Sequence, residues 1–372
     1  MKVVFIFNFY NSFKHIIKNN KLSIIGNVTL IKIIKKISIK NKVRVYLIEK
    51  NKDSKLNQII KTKIDNIEFL VIPFKKKFIL QNFILLFKEF YFGSIKTFYI
   101  DRGNIYFAYI IKIFTKNNVI IRILGITKAI EDSLAGNNVL NYFNRIIWRK
   151  KYDLIINSND GSNYKNFCIN KMSIKNKYLT LNQSIDKFQK IKKKRKKFHI
   201  MLCDNFSSIY KNFHKVLRTL KFIEPQIKKK LKLIFIYSNE DEKNEIKKNT
   251  ISFNDVNLIP RQSNQNLLKQ KFNCDALITF NSMGYLSNNI LESIYCNNWI
   301  ITPLYSKLAN NIPKELNKYF IFLKKDNLKI EINKKIRILM KKNKKININN
   351  IFSNLNKIEK EYKLLRSMKL IK

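Results

Sequence analysis

Glycine is scarce in this chain, with seven residues among 372. No GxGxxG pattern follows the predicted first strand, and GxxxxGK followed by Ser or Thr does not occur. Such loops use glycine so that the backbone can approach a phosphate closely. The shortage therefore argues against dinucleotide or P-loop nucleotide binding in the usual mode.

Cysteine and histidine are also few, at four and three residues. No two of Cys168, Cys203, Cys274 and Cys296 are close in sequence, and no DxD motif follows a predicted strand. We therefore expect no disulfide framework, no bound metal and no other resident cofactor. This cysteine usage fits a reducing cytoplasm.

Long apolar runs are missing as well. No stretch reaches the roughly 18 uninterrupted apolar residues of a membrane-spanning helix. The first residues, MKVVFIFNFYNSF, lack the apolar region and cleavage site of a signal peptide, and their alternation suits a strand. We expect a cytoplasmic protein without a transmembrane helix.

Acidic residues are outnumbered, since 25 Asp and Glu face 74 Lys and Arg and leave a net charge of +49. An AT-rich coding sequence also produces abundant Lys, Ile and Asn, so we assign only part of the excess to an anionic partner. Candidate partners are nucleic acid, anionic lipid headgroups and phosphorylated substrates. Because 45% of the residues are hydrophobic, the chain has enough apolar material for a globular fold.

Short apolar runs alternate with stretches of helical spacing, which predicts βα units and parallel sheets. A first series of strands is predicted at 3–9, 43–49, 67–73, 97–101, 118–125 and 152–158, with helices at 29–38, 78–92 and 106–114. A second series of strands is predicted at 198–204, 232–238, 256–260, 275–280 and 299–303. We expect an α/β protein with Rossmann-like domains at 1–188 and 198–350, a charged linker at 189–197, and a helical tail at 351–372 that can pack back on the first domain.

One strand-to-helix junction carries a distinctive polar sequence, SNNILES at 287–293. Ser287 or Asn288 can cap this helix, whose first N–H groups can then receive an anion such as phosphate. Glu292 lies about one turn further on, where a carboxylate can accept hydrogen bonds from sugar hydroxyls. The alternative is that Glu292 complements the helix dipole on a solvent-facing surface.

This segment, followed by IYCNNWIITP, resembles the nucleotide-sugar segment of the family 4 glycosyltransferases, which commonly read S-N-x-x-L-E. Ser287, Asn288, Leu291 and Glu292 match that pattern. Further segments resemble the family in the same order along the chain: KLSIIGNVTLIKIIKKIS, YDLIINSNDGSNYKNF, YLTLNQSIDKF and IMLCDNFSSIYKNFHKVLRTLKFI. The resemblance implies a GT-B fold, in which two Rossmann-like domains face each other across a cleft.

The resemblance also implies where ligands bind. Lys211 takes the place of a lysine that contacts the donor diphosphate in the family. The implied donor-binding residues are Lys211, Ser282, Gly284, Ser287, Asn288, Asn289 and Glu292. The candidates on the acceptor side or in the cleft are Gly26, Asp101, Arg102, Asn104, Arg122 and Gly125. The chain departs from the family in having Gly284 in place of an acidic residue, Leu124–Gly125 in place of His-Gly, and no Arg before Lys211.

Several of these features have structural alternatives. Arg122 lies in an apolar strand, where a buried cation is costly without an anion. It therefore contacts a ligand or forms a salt bridge, for which Glu131 and Asp132 are the nearby acids. Asn104 can serve as a helix cap. The basic and aromatic segment at 75–92 can lie on an anionic membrane, or pack against a sheet, as its narrow polar face favours.

Together these features predict a hexosyltransferase-type glycosyltransferase of cell-surface polysaccharide or lipopolysaccharide synthesis. Its co-substrate is a nucleotide sugar, its acceptor is a saccharide or lipid-linked, and the resemblance implies retention of configuration without a metal. It is expected to be cytoplasmic, with peripheral contact at the inner membrane face. One alternative is a nucleotide-sugar 2-epimerase of the same fold. Another is a nucleic-acid-binding protein, against which the even spread of lysines and the absence of a recognition motif argue.

Overall fold

The structure is a computed structural model of the chain. It describes residues 2–22, 28–50, 56–73, 79–92, 94–123, 128–159, 167, 171–173, 175–182, 196–203, 212–262, 264–280, 286–304, 312, 314–324, 327–341 and 355–372. The chain divides into two compact units. The first comprises Met1–Asn159, Asn163–Asn182 and Leu355–Lys372, and the second comprises Asp160–Ser162 and Gln183–Asn354. The predicted linker at 189–197 lies mostly outside the described residues.

The first unit is built on an eight-stranded sheet. Its strands are β1 (Lys2–Asn8), β2 (Lys42–Glu49), β3 (Ile60–Ile64), β4 (Ile67–Pro73), β5 (Thr97–Asp101), β6 (Asn118–Ile123), β7 (Leu154–Asn159) and β8 (Tyr178–Asn182). The order across the sheet is β3-β4-β2-β1-β5-β6-β7-β8. All neighbouring strands are parallel except β3, which runs antiparallel to β4 at one edge.

Helices cover both faces of this sheet: α1 (Asn11–Asn19), α2 (Val28–Ser38), α3 (Ile79–Tyr91), α4 (Ile105–Phe114), α5 (Lys128–Ala135) and α6 (Val139–Arg149). Successive strand residues point to opposite faces, so Phe5 packs with α1 and α2 while Ile6 packs with α3 to α6. A sheet buried on both faces explains why its strands are almost continuously apolar in sequence.

The second unit has a six-stranded parallel sheet with the order β11-β10-β9-β12-β13-β14. Its strands are β9 (Phe198–Leu202), β10 (Leu231–Tyr237), β11 (Val256–Pro260), β12 (Ala276–Ile278), β13 (Trp299–Pro303) and β14 (Phe320–Leu323). Its helices are α7 (Phe213–Lys221), α8 (Pro225–Lys228), α9 (Glu240–Thr250), α10 (Asn264–Phe272), α11 (Asn288–Tyr295), α12 (Lys314–Asn317) and α13 (Leu328–Lys341). Helices α7, α8, α9 and α13 pack on one face, and α10, α11 and α12 pack on the other.

The last helix, α14 (Leu355–Ser367), belongs to the first unit although it follows the second in sequence. Leu365 and Tyr362 are buried in the core that α1 and α2 cover. The Thr97 hydroxyl donates to the carbonyl oxygen of Leu370 at 2.5 Å. The C-terminal segment thus completes the core on that face of the sheet.

The structure confirms the predicted α/β class, with two sheets of parallel strands. Each predicted strand is present, and the three strands that were not predicted, β3, β8 and β14, all lie at sheet edges. Among the described residues, Cys203, Cys274 and Cys296 form no disulfide bond, and Cys168 lies outside the described residues. Among the helices that the structure describes, none combines the length and apolar character that crossing a membrane requires.

Candidate functional site

The strand order of the second sheet reverses between β9 and β12. Strand β9 is followed by β10 and β11 on one side, and β12 by β13 and β14 on the other. Ligands of open parallel sheets bind beyond the carboxyl ends of the strands at such a reversal. Cys203, Phe280 and the start of α11 lie at this edge. The SNNILES segment is therefore at the position where a ligand is expected.

Helix α11 begins with a capped amino end. Ser287 has an extended backbone, with φ −71° and ψ 158°, and its side chain accepts a hydrogen bond from the Ile290 N–H at 3.4 Å. The predicted cap is confirmed for Ser287. The amino end of a helix carries partial positive charge, which favours an anion such as a phosphate.

Two asparagines tie the loops at this edge to the sheet. The Asn289 amide donates to the carbonyl oxygen of Cys203 at 2.9 Å, linking α11 to the end of β9. The Asn212 amide, at the start of α7, donates to the carbonyl oxygen of Phe280 at 2.9 Å, just beyond β12. These two hydrogen bonds hold the starts of α7 and α11 at the strand reversal.

Glu292 forms an ion pair with a buried lysine. Lys271 of α10 is fully buried, and its ammonium donates to Glu292 Oε2 and, at 3.1 Å, to Asn289 Oδ1. Burial alone would lower the pKa of Lys271, but the facing Glu292 carboxylate outweighs it and raises that pKa. The Glu292 side chain is 12% exposed, so the alternative of a solvent-facing dipole partner is wrong. Its Oε1 atom has no hydrogen-bond donor among the described residues.

Lys211, Ser282 and Gly284 lie outside the described residues, and only the helical backbone of Asn288 is described. Their roles stay predictions. Of the predicted donor set, the structure brings Ser287, Asn289 and Glu292 together on the first turns of α11.

The first sheet has its own reversal, where β1 lies between β2 and β5. Asp101, at the end of β5, is fully buried and accepts hydrogen bonds from the Asn8 N–H at 3.0 Å, the Tyr10 hydroxyl at 2.7 Å and the Asn104 amide at 2.7 Å. Burial raises the pKa of Asp101, although these hydrogen bonds oppose the change. Both carboxylate oxygens accept hydrogen bonds from the protein, so Asp101 holds the loops at this edge of the sheet in place.

Asn104 occupies the cap position of α4 but makes no side-chain cap hydrogen bond. Its amide donates to Asp101 and, at 3.2 Å, to Asn8 Oδ1. The alternative of a capping side chain is therefore wrong. Arg102 is half-buried beside it in a single 3₁₀ turn, Arg102–Asn104. Gly26 and Gly125 lie outside the described residues.

Arg122 requires a correction. Its guanidinium pairs with Glu361 of α14 at 2.9 Å, and the Tyr99 hydroxyl donates to the other Glu361 oxygen at 2.6 Å. Arg122 is 1% exposed. An acid distant in sequence, Glu361, therefore neutralises Arg122 inside the core in place of the predicted Asp132. The side chain of Glu131, the other predicted partner, lies outside the described residues.

Sequence reasoning missed Lys271, Asn8 and Tyr10. Nothing in the sequence distinguishes Lys271 among the 74 Lys and Arg residues of the chain. Asn8 and Tyr10 directly follow a predicted strand, so the rule that selected Asp101 could have selected them too. Within the described residues, no group of three or more His, Cys, Asp or Glu side chains could hold a metal ion.

Comparisons with known proteins give structural likeness alone. No protein-family profile matches the sequence, and no curated protein matches it. HepE from Anabaena, in complex with UDP and glucose, is similar with a TM-score of 0.64 and 10% identity over 99% of this chain and 100% of its own. The lipopolysaccharide outer core galactosyltransferase WaaB gives a TM-score of 0.62 and 13% identity over 99% of both chains.

A third similar structure is the sucrose-phosphate synthase from Thermosynechococcus elongatus, with a TM-score of 0.61 and 10% identity over 99% of both chains. These structures share their architecture with both units of this chain. The chain has the GT-B fold. Identities this low establish the architecture only. A shared fold does not determine the reaction, which depends on the residues of the site.

Proposed function

We propose that this protein is a glycosyltransferase that moves a sugar from a nucleotide-diphosphate donor to a saccharide or lipid-linked acceptor. The observation that carries the proposal is the carboxyl edge of the second sheet. There the capped amino end of α11 faces the strand reversal, and Glu292 keeps one carboxylate oxygen without a donor among the described residues. The complex of the similar structure HepE with UDP and glucose supports a nucleotide sugar as the co-substrate.

In the proposed reaction, the diphosphate leaving group binds at the amino end of α11. The partial charge of the helix and the ammonium of Lys211 stabilise the negative charge that develops as the sugar–phosphate bond breaks. Glu292 Oε1 accepts hydrogen bonds from sugar hydroxyls of the nucleotide, while Lys271 and Asn289 hold the other oxygen and the helix in place. This division of roles needs no metal, and we propose retention of configuration by resemblance to family 4, of which the chain would be a divergent member.

The proposed acceptor side is the carboxyl edge of the first sheet, at Asp101, Arg102 and Asn104. The acceptor would belong to cell-surface polysaccharide or lipopolysaccharide synthesis, and the similar structure WaaB is a lipopolysaccharide outer core galactosyltransferase. Helix α3 exposes Ile84, Phe87 and Tyr91, and Phe92 directly after it is also exposed. Exposed aromatic residues on a basic unit suit peripheral contact with the inner face of an anionic membrane, so we propose a cytoplasmic enzyme that works there.

A thermal-shift panel of UDP-, GDP- and ADP-sugars tests the proposal. A true donor at about 100 times its Kd should stabilise the protein by about 2.7 kcal/mol. Glu292→Gln should weaken that donor about 10- to 100-fold, the range for a lost hydrogen bond to a charged group. The matched control, Glu331→Gln on α13, should respond to the donor like the wild type.

Three outcomes decide against the proposal. If no nucleotide sugar stabilises the protein while DNA binds tightly with a steep salt dependence, the nucleic-acid alternative is favoured. If the bound nucleotide sugar is isomerised without any acceptor, the protein is the epimerase. If Glu292→Gln and Glu331→Gln respond alike to the donor, the edge at α11 is not the donor site.

A further inference from the structure

A cavity of about 530 Å³ opens at the amino-terminal edge of the first sheet. It is lined by residues near the starts of three strands, Lys2 of β1, Arg44 of β2 and Glu68 of β4, and by Lys96 just before β5. The candidate acceptor edge lies at the other end of these strands, about 20 Å away along β1. The volume falls within the roughly 300–1,000 Å³ of small-molecule sites. This cavity is therefore separate from the edges described above.

An ion-pair network centred on Glu89 of α3 forms one wall of the cavity. The Glu89 carboxylate, 4% exposed, accepts from Lys2 at 2.7 Å, Lys96 at 2.9 Å and the Tyr46 hydroxyl at 2.9 Å, and it also pairs with Arg44. Burial alone would raise the pKa of Glu89, but the hydrogen bonds from Lys2 and Lys96 lower it to about 2. Glu89 stays ionised and holds the surrounding cations at fixed positions.

The cations in the cavity outnumber its acids. Arg44 Nε also bonds to Glu68 at 2.7 Å, and Lys61 pairs with the other Glu68 oxygen at 3.1 Å. Lys88 has no acceptor among the described residues. The five cations are Lys2, Arg44, Lys61, Lys88 and Lys96, and the two acids are Glu68 and Glu89, so three positive charges are in excess.

Among the described residues, hydrogen-bond donors in the cavity outnumber their acceptors. The Lys2 ammonium has three N–H groups and bonds one carboxylate. Burial lowers the pKa of Lys2, and the neighbouring Arg44 and Lys96 add to this in spite of the bond to Glu89. A bound anion would supply acceptors and reduce this repulsion.

The rim of the cavity is apolar. Ile59 and Phe92 line it and are exposed, and next to Phe92 the exposed rings of Phe87 and Tyr91 stack with centroids 5.5 Å apart. Cations inside an apolar rim suit a ligand with an anionic head and a less polar remainder. We propose that this cavity binds a phosphate group carried on an organic molecule, either a soluble phosphate ester or the head group of an acidic phospholipid. The proposal does not depend on glycosyl transfer.

The test uses the full chain and the double variant Lys61→Gln/Lys88→Gln. Lys61 and Lys88 are exposed and neither pairs with Glu89, and Lys61 loses only its exposed pair with Glu68, so the fold should be retained. The matched control is Lys151→Gln/Lys177→Gln, which removes the same charge from the exposed surface before β7 and β8. Calorimetry measures binding of glycerol 3-phosphate, and sedimentation measures binding to phosphatidylglycerol vesicles against phosphatidylcholine vesicles.

We expect the cavity variant to bind the preferred phosphate about 30-fold more weakly, since each basic residue beside an anionic surface contributes about fivefold. The control should change little, because its lysines precede β7 and β8, which lie two and three strands beyond β5 in the sheet. At about 4.8 Å per strand this places them about 10 and 14 Å from β5, at or beyond the roughly 10 Å screening length. Binding of glycerol 3-phosphate identifies a soluble ester, and binding to phosphatidylglycerol vesicles alone identifies a lipid. Equal losses in both variants, or no binding of either probe, would overturn the proposal. The thermal-shift measurements with nucleotide sugars test a different site, so a negative result there does not affect the test of phosphate binding in this cavity.

Discussion

The buried pair of Arg122 and Glu361 can be tested with Glu361→Gln. The two side chains are 2% and 0% exposed, and the substitution keeps the shape of Glu361 while removing the charge that faces the guanidinium at 2.9 Å. Removing one partner of a buried pair leaves an uncompensated charge, at a cost of about 3–5 kcal/mol. We expect the free energy of unfolding of the first unit to fall by about this amount.

Urea unfolding followed by circular dichroism measures this loss as a lower midpoint at an unchanged slope. Because the chain forms two compact units, any separate transitions should show the shift in one of them only. The double variant Arg122→Met/Glu361→Gln removes both charges and keeps an acceptor for Tyr99. It should unfold within about 1.5 kcal/mol of the wild type, since no buried charge is left unpaired.

The exposed pair of Arg337 and Glu224 provides the control. Their side chains are 52% and 39% exposed, so Glu224→Gln should cost about 1 kcal/mol or less. The reasoning is refuted if Glu361→Gln behaves like this control, or if the double variant loses as much as the single one. A loss of ligand binding in Arg122→Met with unchanged unfolding would instead return Arg122 to a binding role.

Three further predictions concern other contacts. Glu89→Gln should cost about 3 kcal/mol at pH 7, because the folded protein lowers the pKa of Glu89 from 4.5 to about 2. A lowered pKa stabilises the folded state above pH 4.5, and this stabilisation is lost as the pH falls towards 2. The difference in urea midpoint between Glu89→Gln and the wild type should therefore shrink over that range. The exposed control Glu240→Gln should differ little from the wild type at every pH. Lys271→Met should cost about 3 kcal/mol in the same assay, since Glu292 loses its buried partner, and a loss below about 1 kcal/mol would contradict the pair. Gly103→Ala would place a Cβ atom 2.4 Å from Asn8 Nδ2 and should cost about 1–3 kcal/mol, most of which Asn8→Ala/Gly103→Ala should restore if this contact is the cause.

The interior strands could be predicted from the sequence because both of their faces are buried, which makes them continuous apolar runs. Two of the strands that were missed have an exposed side: β3, IKTKI, buries only Ile64, and Tyr178 and Thr180 of β8 are exposed. An edge strand can carry polar or charged residues on its exposed side, so β3 and β8 do not form continuous apolar runs. The third, β14, is apolar throughout but has only four residues, FIFL, which is too few to show a strand pattern.

The candidate site was predictable where a single segment determines it. The Ser287 cap depends on a hydrogen bond between residues three positions apart, so a serine before a helical segment is enough to predict it. The partners of Arg122 and Glu292 depend on packing across the fold: Arg122 and Glu361 are 239 residues apart, and Lys271 reaches Glu292 from the preceding helix. Glu131 and Asp132 were predicted as partners because they are the acids nearest to Arg122 in sequence. Spacing along the chain gives no information on which distant helix packs against the sheet.

In a chain with about three basic residues for each acidic one, the acids give more information than the lysines. A surface lysine can be lost at little cost, whereas a buried acid that is lost leaves its donors unpaired. The number of carboxylate oxygens that lack a protein donor then distinguishes an acid that stabilises the fold from one that can bind a ligand. Asp101, Glu89 and Glu361 each have both oxygens occupied by protein donors, so they hold the fold. Glu292 has one oxygen fixed by Lys271 and the other without a donor among the described residues, and it lies at a capped helix end. For this reason we propose that Glu292, rather than the other three acids, binds a ligand.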